Sequence, residues 1–340
     1  MISYFTLQLL GVLWSDNIES AKFAWEVKAS LLFVPLIAAI PGSNVRQTWL
    51  WSVLWSVVLY LIWRFGSGLW VYAFQNDLHA LHYAGLAGDV HPTYLAMYAA
   101  VALVVLPEVL GRTWWRTFVA GLLVLGIGFL GSKAGVVAGL PAVLIYAYRT
   151  HRSKDVRQAA PQAVLLVALL VGSAALSSGD RFVELATTLE TTIETDGAGG
   201  GEAVKSSSSG RLAVWRSSLE LIAAHPMGVG TGDVEQELNA LYRRDGVDYA
   251  LDRRLNPHNQ WLQAGVAFGW PGILVWSALL FAGFALARRR RDATLAAFVL
   301  IVGLHACFES ILEAQRGVVF VSMGLALLAN GLPSRPNHVH

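Results

Sequence analysis

Apolar residues in this chain fall in long blocks rather than in alternation. Ten blocks stand out, centred on 1–13, 29–41, 49–71, 93–110, 114–131, 134–148, 161–177, 260–287, 293–308 and 317–332, the first two of them short. A membrane helix needs about 20 predominantly apolar residues. A strand of a membrane barrel would instead alternate apolar and polar positions. Stretches such as 164–176 and 273–287 are apolar on every side, so the blocks predict helices. The expected fold is all-α, a polytopic integral membrane bundle of about ten spans.

One polar interval interrupts the blocks and divides the chain into membrane helices over 1–177, a loop subdomain over 178–257 and further membrane helices over 258–340. The loop carries helical periodicity. Phe182, Leu185, Leu189 and Ile193 recur at helical spacing. The Gly/Ser-rich stretch 195–210 reads as a flexible linker or flap. Ser209 then offers an N-cap to a helix with Leu212, Trp215, Leu219 and Ile222 on one face, which His225-Pro226 stops. Gly228 and Gly230 predict a turn. Asp233 with Gln236 resembles a capping box for a third helix, with Val234, Leu238, Leu241 and Tyr242 inward. The expectation is a partly helical subdomain lying on the outer membrane face.

Composition sharpens this picture. Hydrophobic residues make up 55% of the chain and charged residues 14%, against about 25% charge in a soluble domain. That excludes an ordinary soluble enzyme and a disordered chain. A net charge of +2 gives no reason to expect a nucleic-acid partner. The single cysteine, Cys307, allows no intrachain disulfide. No Lys or Arg precedes Lys22, so the first block reads as a span, or as the remnant of a longer N-terminus, rather than as a secretory signal.

Basic residues supply the orientation. If successive loops alternate sides, one side collects Arg46, Arg112, Arg116, Arg149, Arg152, Lys154, Arg157, Arg288 to Arg291 and Arg335. The other side's short loops hold only Lys22, Lys28, Lys133 and Arg316. The richer side is expected in the cytoplasm, which places 178–257 outside. The clusters at 149–157 and 288–291 then read as stop signals.

Few polar residues remain to carry chemistry. His258 stands in Asn256-Pro257-His258-Asn259-Gln260-Trp261. Asn is a good N-cap and Pro suits the first helical position, which puts His258 in the first turn of the eighth span. A helix N-terminus disfavours imidazolium, so a neutral ring there can serve as a general base. Arg211 is expected in the opening turn of a loop helix, where its charge opposes the dipole. Phosphate recognition would explain it better than helix stability. Lys133 lies at a span end on the outer side, placed to bind a lipid-linked phosphate or to snorkel. Glu309 and Glu313, four apart, are expected to share a helical face, able to orient a histidine or to pair with Arg211. Arg316 lies in the same outer loop. Arg64, near the outer end of the third span, reads as snorkelling. His79 and His82 have the spacing of a metal pair, but no third ligand completes a set; His91-Pro92-Thr93 reads as the start of a span. No phosphate-binding glycine loop, zinc-protease motif or nucleophile elbow is present. Nothing points to ATP, NAD or zinc.

These residues together resemble the O-antigen ligase and polymerase superfamily of bacterial envelope-glycan proteins. The resemblance rests on Leu13-Trp14-Ser15-Asp16-Asn17, His91-Pro92-Thr93-Tyr94, Gly131-Ser132-Lys133, Ser209-Gly210-Arg211-Leu212-Ala213-Val214-Trp215, His225-Pro226-Met227-Gly228-Val229-Gly230, Pro257-His258-Asn259 and Gly269-Trp270-Pro271-Gly272, in the family's order. It implies a multi-pass protein of the bacterial inner membrane with a large periplasmic loop. It also implies transfer of a glycan from an undecaprenyl-diphosphate carrier to lipid A–core, with inversion, without a metal or other cofactor, and with the active site facing the periplasm. On this chain His258 matches the family's catalytic histidine and Arg211 its loop arginine. Lys133 matches a basic position that is usually Arg, a change that keeps the charge but loses the bidentate fork. Trp215, Asn259, Glu313 and Arg316 are the neighbours expected to help bind substrate. The same chemistry serves a polymerase, or a ligase acting on protein or another glycan. A transporter would show internal repeats and mid-span charges, and neither is visible.

Overall fold

The structure, a computed structural model, describes residues 1–40, 45–111, 114–151, 159–177 and 207–330. Among these residues the regular elements are all helical. They are α1 (Ile2–Leu10), α2 (Ile18–Lys28), α3 (Ser30–Ala38), α4 (Val45–Gln75), α5 (Tyr83–Ala87), α6 (Pro92–Val109), α7 (Trp114–Phe129) and α8 (Lys133–His151). They continue as α9 (Ala159–Ser177), α10 (Ser207–Ala224), α11 (Val234–Arg244), α12 (Asp248–Asp252), α13 (Gln260–Arg290), α14 (Ala293–Ala306) and α15 (Gln315–Asn330). Four of them, α4, α6, α9 and α13, are long and apolar enough to cross a membrane. The other apolar blocks form shorter helices. The helix expected over 182–193, most of the Gly/Ser-rich stretch and the basic cluster over 152–157 lie outside the described residues.

The chain forms two compact units. One comprises Met1–Phe33, Gly179–Leu280 and Ala306–Phe320. The other comprises Val34–Ser178, Phe281–His305 and Val321–His340.

In the second unit α6 is the central helix, with 83% of its apolar window buried. His91 caps it by accepting the Thr93 amide on Nδ1, and Pro92 takes the first helical position. A Cβ on Gly135 of α8 would stand 2.5 Å from the Ala96 Cβ of α6. The two backbones therefore meet as closely as small residues allow, the usual basis of helix packing in lipid.

One end of this unit is tied by buried charge. Arg46 Nη1 lies 2.6 Å from Asp292 Oδ2, and Arg46 Nη2 lies 3.4 Å from Glu108 Oε1. Arg149 Nη2 reaches Glu108 Oε2 at 3.3 Å, and the Thr294 hydroxyl donates to the same oxygen at 2.6 Å. Arg46 Nη1 also donates to the Leu328 carbonyl. The network thus gathers the start of α4, the ends of α6, α8 and α15, and the turn from α13 to α14. These are ends that the alternation of basic loops expects on one side. At the other ends the Ser132 hydroxyl donates to Thr93 Oγ1 and the Ser177 hydroxyl to the Gly128 carbonyl. Arg64 does not snorkel. Its guanidinium donates to the Gly85 and Leu86 carbonyls, beside the bond from the Tyr60 hydroxyl to the Ala87 carbonyl. Those carbonyls lie at the end of α5, where a helix lacks internal donors.

In the first unit the expected straight span from residue 260 is a hairpin. Gly269 has φ 61° and ψ −146°, which breaks α13 into arms over 260–268 and 270–290. The arms fold back on each other, since Trp261 Nε1 donates to Ser277 Oγ at 3.1 Å. In a straight helix those residues would stand about 24 Å apart. Gly269 supplies a backbone angle closed to other residues, and Pro271 brings no N–H to continue the ladder.

The break exposes backbone groups, and the loop after α10 satisfies them. Val229 and Gly230 donate to the Val266 and Ala267 carbonyls, and Trp270 donates to the Pro226 carbonyl. A side chain at Gly269 would overlap that carbonyl. The 225–230 and 269–272 motifs are therefore two halves of one splice.

The same loop is tied to the N-terminal segment. The Asp233 carboxylate accepts the Asp16 and Asn17 amides at 2.8 Å each. Ser15 Oγ accepts the Gly232 amide at 2.8 Å. The helix expected after Asp233 forms, but Asp233 makes no cap bond to it. The capping-box reading is thus replaced by a long-range tie, because two backbone amides outcompete a local cap.

Candidate active site

His258 sits at the foot of the short arm, just outside the helix. The helix start expected there, with Asn256 as cap, moves three residues onward. Asn259 Oδ1 accepts the Trp261 and Leu262 amides and is the cap. Asn256 Oδ1 accepts the His258 amide at 2.9 Å. His258 itself adopts φ 47°, in the left-handed region. A non-glycine residue there carries a strain of order 1 kcal/mol that the surroundings must enforce.

What enforces it is the turn between α14 and α15. Asn259 donates its amide to Ser310 Oγ at 3.3 Å and its Nδ2 to the Cys307 carbonyl at 3.1 Å. Gln260 Oε1 accepts the Leu312 amide at 2.8 Å, while its Nε2 donates to the Tyr4 hydroxyl at 3.0 Å. In the middle of this seam His258 Nδ1 lies 3.1 Å from Glu309 Oε1. The Glu309 side chain is 8% exposed and that of His258 26% exposed. An ionised carboxylate only accepts, so against ionised Glu309 the donor is Nδ1, and in a neutral ring Nε2 is then the acceptor.

Glu309 and Glu313 do not share a helical face. The chain from Cys307 to Ala314 is a succession of turns, with Glu313 donating its amide to the Ser310 carbonyl. The two carboxylates separate: Glu309 takes His258, and Glu313 forms a 2.7 Å ion pair with buried Lys28. The histidine partner is thus Glu309. The sequence signal was present, since a carboxylate at the edge of an apolar block needs a partner. Lys28, Gln260 and Tyr4 carried no such signal, being spread over chain positions that only folding unites.

Arg211 and Trp215 lie one turn apart on α10. The helix begins at Ser207, earlier than the cap expected at Ser209, so Arg211 lies beyond the opening turn. It ends before His225-Pro226 as anticipated. α10 runs alongside the short arm of α13. Trp215 Nε1 donates to the Pro257 carbonyl at 2.8 Å, and a Cβ on Gly265 would stand 2.6 Å from Ile222 Cδ1. Arg211 is one turn, about 6 Å, further along the stripe that Trp215 presents to Pro257. It thus lies one turn before the residue that meets Pro257, the chain neighbour of His258. Among the described residues Arg211 makes no ion pair. Arg316 is exposed in the first turn of α15. Lys133 opens α8 in the second unit, half-buried after the Ser132 turn.

The arrangement on this helical scaffold is an imidazole held against a carboxylate, with Arg211 one turn from the Trp215 that meets Pro257. A histidine held this way is suited to proton transfer, and an unpaired arginine to an anion. The family model described as O-antigen ligase matches residues 117–277. The match supports placing the chain in the O-antigen ligase superfamily, a family of glycosyltransferase-like membrane enzymes. It covers Lys133, Arg211, Trp215, His258 and Asn259, and stops short of Glu309. No curated protein matches the chain.

Proposed function

We propose that this protein is an O-antigen ligase, moving a glycan from undecaprenyl diphosphate to lipid A–core at the periplasmic face of the bacterial inner membrane. The observation that carries the reading is the 3.1 Å contact between His258 Nδ1 and Glu309, which leaves Nε2 as the basic atom. His258 Nε2 takes the proton of an acceptor hydroxyl as its oxygen attacks the anomeric carbon. The bond from that carbon to the diphosphate oxygen breaks, the configuration inverts, and undecaprenyl diphosphate leaves as the anion. Arg211 meets the charge that builds on the leaving group. The step as proposed uses the Arg211 guanidinium, rather than a metal, as the counter-charge. Glu309 is a positioning residue that sets the tautomer of His258.

The test is transfer by purified full-length protein from an undecaprenyl-diphosphate-linked glycan, with and without lipid A–core. Labelled glycan on lipid A–core is expected, and His258→Ala should lower the rate by about 10²–10⁴. Chain growth on the carrier alone would mean a polymerase. Loss of activity with EDTA, restored by a divalent cation, would overturn the metal-free mechanism.

A further inference from the structure

Beside Arg211 the structure holds a second cation that the mechanism above does not use. Gly210 lies against the Tyr249 ring: a Cβ at that position would stand 2.9 Å from Tyr249 Cδ1 and Cε1. The missing side chain lets the ring lie on the α10 backbone next to Arg211. Arg253 lies over the same ring, its guanidinium carbon 4.2 Å from the centroid. Among the described residues neither Arg211 nor Arg253 has a carboxylate partner. Two other arginines of the subdomain do: Arg244 pairs with Glu220 and Asp245, and Arg254 reaches Glu235.

An arginine stacked on an aromatic face is held flat, with its N–H edge open. Such an edge matches phosphate oxygens with two parallel bonds. Arg253 thus puts an exposed guanidinium on the ring that lies against Gly210, the residue before Arg211 in the chain. Arg253 also comes five positions before His258, on the segment that leads into the site. The Tyr242 hydroxyl fixes that segment by donating to the Leu255 carbonyl at 2.9 Å.

We propose that Tyr249 and Arg253 form, with Arg211, an anion subsite for the phosphate groups of a lipid-linked substrate. The proposal rests on the ligase reading for the identity of the substrate. It adds a binding function for Arg253, a positioning function for Tyr249, and a reason for glycine at position 210. Phosphates of this kind occur both on the prenyl-diphosphate carrier and on a phosphorylated lipid acceptor, and the chemistry of recognition is shared.

The experiment measures binding to full-length protein in detergent, with undecaprenyl diphosphate in one arm and diphosphorylated lipid A in the other. Arg253→Gln should weaken binding in at least one arm by about tenfold, the weight of a charge-assisted hydrogen bond. It should also lower the dependence of binding on salt. Tyr249→Phe keeps the ring and should bind like the parent, while Tyr249→Ala and Gly210→Ala should weaken binding with it. Arg254→Gln is the control for a general loss of charge and should change nothing. The arm that responds identifies the source of the phosphate. Unchanged binding of both lipids by Arg253→Gln overturns the subsite. That result would leave the ligase reading standing, since the reading fails on a separate readout, persistence of glycan transfer in His258→Ala.

Discussion

His258 occupies a backbone conformation that few non-glycine residues adopt, and its neighbours compensate from both sides. Asn256 holds its amide, and the 307–312 turn holds the residues that follow. Such strain at a titratable side chain commonly accompanies function, and the ring of His258 lies against Glu309. Glu309→Gln should keep the contact but permit the wrong tautomer. Its kcat is expected to fall by about 10²-fold or more, with the KM for donor little changed. A purely structural role for Glu309 would instead lower the thermal midpoint and leave the kcat of folded protein intact. Arg211→Lys should recover only part of the activity lost in Arg211→Ala, since a point charge cannot make two parallel bonds. Full activity of Arg211→Ala would remove it from the mechanism.

Among the elements, the hairpin of α13 and the loop over 225–232 depend on each other. A Gly269→Ala change would force a side chain into the Pro226 carbonyl and a positive φ at once. It should lower stability by about 2 kcal/mol or more, measured as the thermal midpoint in detergent against a Gly246→Ala reference. Gly246 also has positive φ but open space around it, so the difference isolates the collision. Tyr242, on α11, is buried and bonded to Leu255. Its burial pushes the phenol well above its ordinary value. The folded state therefore favours the neutral ring. Its contribution is complete below the unfolded value of about 10 and is lost as pH rises beyond it. Thermal midpoints should fall above about pH 10, and Tyr242→Phe should flatten that fall.

At the scale of the whole molecule, the buried network around Arg46 ties together helix ends of the second unit. Asp292 pairs with Arg46 and also accepts the Thr294 and Leu295 amides as the cap of α14. Asp292→Ala should cost about 3–5 kcal/mol, the range for stranding a buried charge. Asp292→Asn should keep the cap and cost less. Which side is which can be read by labelling in a Cys307→Ser background. A cysteine replacing Glu235 should react with an impermeant thiol reagent from the periplasm, and one replacing Arg289 should not. The reverse pattern would invert the orientation and remove the periplasmic site.

The sequence by itself determined the helical class, the apolar blocks and most of their limits. The reason is that lipid obliges each spanning segment to satisfy its backbone internally and to be apolar throughout, a demand that is local in the chain. It also singled out His258 and Arg211 as candidates, because polar residues are scarce enough in such a chain to stand out. The tertiary structure alone decided that Glu309 rather than Glu313 meets His258, and that residue 260 begins a hairpin arm rather than a straight span. It alone decided that Asp233 ties the N-terminal segment instead of capping its own helix, and that the Tyr249 ring lies between Gly210 and Arg253. Each of those outcomes joins residues distant in sequence, or settles a competition between a local bond and a distant one. Periodicity and motif spacing register local geometry, and the winner of such a competition depends on which backbone groups the packed chain leaves without a partner.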